Sequence, residues 1–142
     1  MTDWFDQEQL HFAAEDGNLN KVKNLIDAGY DVNVLDESME LTPLHYAVRA
    51  EKFKVAEYLL SIGANINAHV EEKAGETPLG NVAQTCSYEM AEFLIKNGAN
   101  PVIPGWMQLT AIDRSKKRKK EEGQRVYELL LKTAKKNFNY AA

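Results

Sequence analysis

The amino-acid sequence predicts an all-α fold, a stacked array of about four helix-turn-helix repeats with protruding loops. The first indication is a segment that recurs every 33 to 35 residues, as Leu10-His11-Phe12-Ala13, Leu44-His45-Tyr46-Ala47, Leu79-Gly80-Asn81-Val82-Ala83 and a weaker Thr110-Ala111-Ile112-Asp113. The second is a glycine-led segment that keeps step with the first three copies, as Gly29-Tyr30-Asp31-Val32-Asn33, Gly63-Ala64-Asn65-Ile66-Asn67 and Gly98-Ala99-Asn100-Pro101-Val102. In such an array each repeat buries its apolar face against its neighbours, so function is expected on the exposed faces.

The second repeat shows how each unit is expected to fold. Thr42 is a suitable N-cap, and Pro43 fits the first turn of a short helix because its missing N–H is not needed there. A second helix follows, with apolar residues at helical spacing, namely Phe53, Ala56, Leu59 and Leu60. Gly63 stands where a left-handed residue ends such a helix, as do Gly29 and Gly98. Each repeat is therefore predicted as helix, turn, helix and loop.

The last repeat is predicted to be a modified cap. Its first helix is expected to run from Ile112 to Glu122, about three residues longer than its counterparts, and its second from Gln124 to Lys132. The predicted repeats cover residues 8–40, 41–75, 76–108 and 109–137 of a single domain, and a short tail follows at 138–142. At the other end, Trp4 and Phe5 are expected to cover apolar surface that has no neighbouring repeat.

The chain resembles the ankyrin-repeat family. Thr42-Pro43-Leu44-His45-Tyr46-Ala47 is similar to the family's Thr-Pro-Leu-His-x-Ala signature, and Gly63-Ala64-Asn65-Ile66-Asn67 to its Gly-Ala-Asp-Val-Asn. The resemblance extends over about residues 8 to 131. It implies an all-α ankyrin-repeat solenoid, a curved stack of helix pairs with β-hairpin-like loops, in which partners bind to the loop tips and to the concave face of the first helices.

His11, His45 and Cys86 are the residues that could suggest catalysis or metal binding. The family resemblance implies instead that His11 and His45 bind loop backbone and stabilise the fold, and a metal site would need further ligands. Nothing near Cys86 in the sequence would lower its pKa, and no catalytic or phosphate-binding motif is present. We therefore expect neither an enzyme nor a cofactor or metal, although an enzyme or metal protein using these three residues is the remotest alternative.

Charge is distributed unevenly. Residues 1–76 carry 15 acidic and 6 basic side chains, a net charge of −9, whereas residues 77–142 carry 6 acidic and 11 basic ones, a net charge of +5. The long first and second loops are acidic. We predict that their residues form an acidic binding surface together with the first-helix residues that precede the inter-helix turns. Acidic residues could equally serve solubility, and long loops could be tolerated insertions. The predicted surface consists of Glu15, Asp16, Asp36, Glu37, Ser38, Met39, Glu40, Leu41, Arg49, His69, Glu71, Glu72, Lys73, Glu76, Gln84 and Thr85.

The third loop adds Trp106 and Met107 to the predicted binding residues, because a tryptophan at a loop tip is a favoured anchor for a partner. The alternative is that Trp106 folds back and seals the end of the stack. The basic run from Lys116 to Lys120 fits a nuclear-import signal, a phosphate-binding patch or a solvated helix face. Nucleic-acid binding is not expected, since no aromatic residues are interleaved with the run and the net charge is −4.

The predicted function is a non-enzymatic module that binds another protein, with a basic toxin or effector as the simplest partner for an acidic surface. A small cytoplasmic neutraliser or immunity protein, monomeric when free, fits the size and charge. The alternative is a eukaryotic-type regulatory inhibitor or adaptor with its nuclear signal at residues 116–120. No membrane segment or secretion signal is apparent, and one cysteine allows no intramolecular disulfide.

Overall fold

The computed structural model describes residues 8–141, which contain eight α-helices, two short 3-10 helices and no β-strand. This confirms the predicted all-α repeat fold. The predicted cap at Trp4 and Phe5 lies outside the described residues. The α-helices are α1 (Gln9–Asp16), α2 (Leu19–Asp27), α3 (Pro43–Arg49), α4 (Phe53–Ser61), α5 (Pro78–Val82), α6 (Tyr88–Lys96), α7 (Ala111–Lys116) and α8 (Glu121–Asn137), and the 3-10 helices are Glu71–Lys73 and Trp106–Gln108.

The described residues form two compact halves, which are divided between Ala68 and His69. In the N-terminal half, α1 packs against α2 and α3, and α4 packs against α2 and α3. In the C-terminal half, α8 packs against α6 and α7, and α5 packs against α7. Apolar side chains fill both cores. The fully buried ones include Leu10, Val22, Leu44 and Leu59 in the N-terminal half and Leu79, Met90, Leu94 and Leu130 in the C-terminal half. Of the four predicted in α4, Ala56 and Leu59 are buried but Phe53 and Leu60 are only half-buried, and Val55, which the spacing did not indicate, is buried as well.

Threonine caps begin the first helices of three repeats, and the sequence predicted the one at Thr42. The Thr42 hydroxyl accepts a hydrogen bond from the backbone N–H of His45, and Pro43 occupies the first turn of α3. Thr77 caps α5 in the same way, and Thr110 caps α7 through the N–H of Asp113. These caps satisfy backbone donors that a helix start otherwise leaves without partners.

Left-handed glycines follow the second helices, which confirms the other half of the repeat signature. The φ angles of Gly29, Gly63 and Gly98 are 104°, 107° and 91°. A side chain would be strained at such angles, so glycine allows the chain to turn sharply after the helix. In the N-terminal half the turns are joined by Asn33, whose side chain donates to the Gly63 carbonyl at 3.1 Å and accepts from the Asn65 N–H at 2.9 Å.

The loops are closed by single backbone hydrogen bonds. The N–H of Asp36 donates to the carbonyl of Leu41, and that of Gly105 to the carbonyl of Leu109, each at 2.9 Å. Glu40 has a φ of 57° and therefore lies in the left-handed region. The loops thus turn back like hairpins but form no strand ladder within residues 8–141.

The structure corrects the predicted helices of the fourth repeat. Helix α7 ends at Lys116, and Lys120 has an extended backbone with φ −77° and ψ 154°. Helix α8 begins at Glu121 and continues to Asn137, five residues beyond the predicted end at Lys132. The sequence pattern is misleading here because lysine and glutamate favour helix without indicating where a turn must lie. The packing of α8 against α6 and α7 decides that position.

Candidate protein-binding surface

His11 is a structural residue of the N-terminal half. Its side chain is fully buried, and Nε2 lies 2.9 Å from the carbonyl oxygens of both Val34 and Leu41. Since carbonyls only accept, Nε2 carries the proton and donates to them. Burial lowers the pKa of His11, outweighing the two carbonyls and the charges of Asp36 and Glu8, which favour the protonated ring. The family-implied role of His11, binding loop backbone, is confirmed.

Asp36 is buried, although the sequence predicted it as part of the exposed binding surface. It is 2% exposed, and its Oδ1 accepts hydrogen bonds from the N–H groups of Met39 at 2.9 Å and Leu41 at 3.1 Å. Its Oδ2 accepts from the Tyr46 hydroxyl. Burial raises the pKa of Asp36, but these three donors outweigh burial and hold the pKa below its usual range. Leu41 is an apolar residue that is also buried, at 4% exposure, so it does not belong to the exposed surface either.

Helices α1 and α3 meet at a mixed charged and aromatic contact. The Arg49 guanidinium lies 4.8 Å from the centre of the Tyr46 ring and 3.6 Å from the Glu15 carboxylate. The Tyr46 ring in turn contacts His11 edge-on, with the ring centres 5.1 Å apart. Because Glu15 and Arg49 are both about two-fifths exposed, their ion pair contributes little stability. It does hold the two side chains in place at the surface.

Several predicted site residues of the N-terminal half are exposed around this contact. Three exposed apolar side chains lie among them: Phe12 at 38%, Leu35 at 42% and Met39 at 57%. The sequence reasoning missed Phe12 and Leu35, although Phe12 sits one helical turn before Glu15 and Asp16, on the same side of α1. We define the acidic face as the exposed residues Phe12, Glu15, Asp16, Leu35, Glu37, Ser38, Met39 and Arg49, with Glu40 partly exposed beside them.

The acidic face is continuous in the N-terminal half. The loop is attached to the beginning of α1 by the bonds from His11, and by the Glu37 N–H, which donates to Glu8 at 3.3 Å. Helices α1 and α3, which carry Glu15 and Arg49, pack against each other. Loop and helix residues are therefore presented on one rigid support, which reduces the ordering cost of binding a partner.

In the C-terminal half the predicted site residues have different surroundings. Glu71, Glu72 and Lys73 form an exposed 3-10 turn, Gln84 and Thr85 are exposed at the end of the first helix of their repeat, and His69 is partly exposed. Glu76 is not a free surface carboxylate. Its side chain is 17% exposed, and Oε1 lies 2.7 Å from the guanidinium of Arg114 and accepts from the Trp106 N–H at 2.8 Å.

The basic run does not form one solvated helix face. Arg118 donates from Nη1 to the carbonyls of Cys86 at 2.8 Å and Ala83 at 3.4 Å. The other members of the run are exposed, namely Lys116, Lys117, Lys119 and Lys120. Arg118 thus ties the turn before α8 to the end of the third repeat's first helix.

Between residues 8 and 141 no group of three or more histidine, cysteine, aspartate or glutamate side chains is arranged to hold a metal ion. None of the helices in the same range combines the length and the apolar character needed to cross a bilayer. Cys86 is a buried thiol.

The repeated helix pairs, threonine caps, left-handed glycines and loop-binding histidine define a helical repeat protein. A family model, described as ankyrin repeats in three copies, matches residues 10–104. The chain therefore belongs to the ankyrin-repeat family, and it is a protein-protein interaction module.

Curated relatives agree with this assignment. The chain is 40% identical over 91 residues to the Ankyrin repeat and KH domain-containing protein mask-1 of Caenorhabditis elegans, and 38% identical over 95 residues to the Neurogenic locus Notch protein of Drosophila melanogaster. It is 33% identical over 89 residues to the ARF GTPase-activating protein GIT2 of Rattus norvegicus. The matches cover 64%, 66% and 63% of this chain but 3%, 3% and 12% of those proteins. The similarity thus concerns a small part of each relative.

Proposed function

We propose that this chain binds a basic protein partner through the acidic face of its N-terminal half. The observation that carries the proposal is the combination of exposed apolar and acidic side chains on a rigid support. Phe12, Leu35 and Met39 provide apolar contact area, and the carboxylates of Glu15, Asp16 and Glu37 surround it. Protein interfaces commonly have an apolar centre with a polar rim, and charge on the rim selects and steers the partner.

The net charge of the N-terminal half supports a basic partner. Residues 1–68 carry 12 acidic and 5 basic side chains, a net charge of −7. Arg49, the cation of the acidic face, lies against the Glu15 carboxylate and the Tyr46 ring. A field of this sign attracts cationic surfaces and repels acidic ones, so association should slow when salt is added.

The proposed physiological role is neutralisation, in which the bound chain covers the working surface of a toxin or effector in the cytoplasm. The support is the charge of the acidic face and the absence of a catalytic motif in the sequence. The names of the relatives do not bear on this role. The general proposal of a basic partner does not depend on it.

Quantitative affinity capture from the source organism tests the proposal. The immobilised full chain is compared with a double variant, Glu15→Lys with Glu37→Lys, which reverses two charges of the acidic face. The matched control reverses two exposed charges on the second helices of the first two repeats, Asp27→Lys with Glu57→Lys. We expect a basic protein that is retained by the wild type and the control and is lost from the acidic-face variant.

Purified partner and chain then allow the association rate to be measured at increasing salt. The rate should fall with salt for the wild type and should be slower at low salt for the acidic-face variant. Equal binding by both double variants, or a partner whose contact surface is acidic, would contradict the proposal. Loss of the partner's activity on binding would add support for the neutraliser role.

A further inference from the structure

We infer that the loop tip at Trp106 and Met107 is a second contact for a protein partner, and that Glu76 and Arg114 are positioning residues that hold this tip. The inference rests on the protein-binding function but not on the acidic face. The partner surface that fits the tip is an apolar pocket bordered by a carboxylate, whereas the acidic face suits a basic surface.

The tip presents two large apolar side chains to solvent. Trp106 is 63% exposed and Met107 is 67% exposed, the highest values among the exposed large hydrophobic side chains of residues 8–141. The sequence left open whether Trp106 covers the end of the stack or faces outwards, and this exposure favours the second alternative. Tryptophan is strongly enriched among the residues that dominate binding energy at protein interfaces.

The exposed tip is nevertheless tightly held through its backbone. The Trp106 N–H donates to Glu76 Oε1 at 2.8 Å, and the Trp106 carbonyl accepts from Arg114 Nη2 at 3.1 Å. The same Nη2 lies 2.7 Å from Glu76 Oε1, so the carboxylate and the guanidinium together bind the N–H and the carbonyl of Trp106. The pair thus fixes the backbone of Trp106 while leaving its indole free for a partner.

The backbone at the tip also adopts an unfavourable conformation. Met107 and Gln108 have φ angles of 58° and 60°, in the left-handed region that residues with side chains rarely adopt. Such strain persists only where surrounding contacts impose it, and it concentrates at functional sites. Glu76 and Arg114 provide such contacts, because they hydrogen-bond the backbone of Trp106, the residue next to Met107.

Two glycines make room for the Glu76 carboxylate. A Cβ atom at Gly105 would lie 2.3 Å from Glu76 Oε1, and one at Gly80 would lie 2.7 Å from Oε2. Gly80 occupies the repeat position at which the first two repeats have His11 and His45. In the third repeat, therefore, the Glu76 carboxylate binds the backbone of the following loop, as His11 does in the first repeat. The departure from the repeat pattern at Gly80 is part of the arrangement that holds Trp106.

The charges near the tip indicate the chemistry of the partner. The segment from Pro101 to Thr110 contains no charged residue, and the nearby Glu76 carboxylate is paired with Arg114. Lys117 is exposed just beyond the end of α7, three residues after Arg114. Residues 69–142 carry 12 basic and 9 acidic side chains, a net charge of +3. We therefore expect the partner pocket that receives Trp106 to have a carboxylate at its edge, which would complement this positive charge.

Selection from a phage-displayed library of random peptides tests the contact without a known partner. Peptides are selected on the immobilised full chain and then measured on Trp106→Ala and, as a matched control, on Met39→Ala. Both substitutions remove an exposed apolar side chain, one in each half. We expect a group of peptides that combine apolar residues with a carboxylate. Their affinity should fall about tenfold or more on Trp106→Ala and stay unchanged on Met39→Ala.

The positioning role is tested with Glu76→Gln and, as a second variant with Glu76 intact, Gly105→Ala. Each should weaken the Trp106-dependent peptides and should speed backbone hydrogen exchange at residues 105–109, with little change in exchange at α6 and α8. A general loss of folding would instead speed exchange throughout the C-terminal half. Unchanged peptide affinity in both variants would overturn the positioning role.

The remaining outcomes separate this inference from the proposed function. If no selected peptide depends on Trp106, or if the dependent peptides are basic, the second contact is wrong. Peptides that are basic and lose affinity on Glu15→Lys with Glu37→Lys would still support the acidic face. Conversely, Trp106-dependent acidic peptides would support the second contact even if no peptide responded to changes in the acidic face.

Discussion

The hydroxyl of Tyr46 donates a hydrogen bond to Oδ2 of Asp36, and both side chains are almost fully buried. This bond joins the loop of the first repeat to helix α3 of the second. The Asp36 carboxylate also binds the N–H groups of Met39 and Leu41, so one side chain closes the loop and anchors it. Met39, an apolar member of the acidic face, is thereby held in place by a buried residue that no partner touches.

Tyr46→Phe should lower the free energy of unfolding by about 1–3 kcal/mol, because it removes a donor from a buried carboxylate. The measurement is urea unfolding followed by circular dichroism. In an Asp36→Asn background the same substitution should cost less, and the difference in a double-mutant cycle gives the coupling between the two residues. Additive effects of the two substitutions would contradict the bond's importance.

Stability should fall as the pH is lowered below about 6.5, the usual pKa of histidine. Burial lowers the pKa of His11 in the folded protein, so in the pH range between the two values the unfolded chain binds more protons. The free energy of unfolding then rises with pH, by at most about 1.4 kcal/mol per pH unit for one group. Urea unfolding at several pH values between 5 and 8 measures this slope.

The control for the pH prediction is His11→Gln, which keeps a side-chain N–H donor but cannot gain a proton. The difference in stability between wild type and variant should shrink as the pH falls through this range. Asp36 does not interfere, because its pKa is held below 3.8 and its contribution is lost only in more acidic solution. Parallel stability curves for the two proteins would show that His11 does not cause the dependence.

Glu40→Gly should stabilise the chain by about 0.5–1 kcal/mol, since the φ of Glu40 is 57° and glycine adopts this conformation without strain. The matched control is Glu37→Gly in the same loop, where φ is not positive and glycine brings only added freedom in the unfolded chain. That control should be neutral or destabilising. Thermal unfolding of both variants measures the sign, and a loss of stability in Glu40→Gly would refute the argument.

Arg118→Gln should destabilise the chain by about 1–3 kcal/mol, because the Cys86 carbonyl and the partly buried turn lose a charged donor. Lys119→Gln, one residue later and exposed, removes the same charge and should change stability by less than about 0.5 kcal/mol. Urea unfolding compares the two. Equal effects would mean that net charge, and not the contact of Arg118, governs the result.

Local signals in the sequence predicted much of the fold. Thr42 and Pro43 start a helix, and Gly63 ends one, because capping and left-handed turns depend on a few adjacent residues. The role of His11 followed from its place in a recognised motif. The end of α7 was predicted wrongly, since residues 117–120 favour helix by composition, while the contact of Arg118 with the third repeat lies more than 30 residues away in the chain.

The candidate site was harder to predict than the fold. Asp36 looked like its neighbour Glu37 in the sequence, yet one is 2% exposed and the other lies at the surface. Glu76 looked like another surface acid, but its partners Trp106 and Arg114 are 30 and 38 residues away. The exposure of Phe12 was missed because an aromatic residue within an apolar motif is usually taken for core.

The sequence by itself determined the repeat, its helix pairs and turns, and therefore the ankyrin family, because each of these depends on residues that are neighbours in the chain. The tertiary structure decided which loop acids are buried and which face solvent. It also exposed the Trp106 side chain while Glu76 and Arg114 hydrogen-bond its backbone. The physical reason is that the burial and pairing of a polar side chain depend on groups from distant segments, which no local pattern specifies.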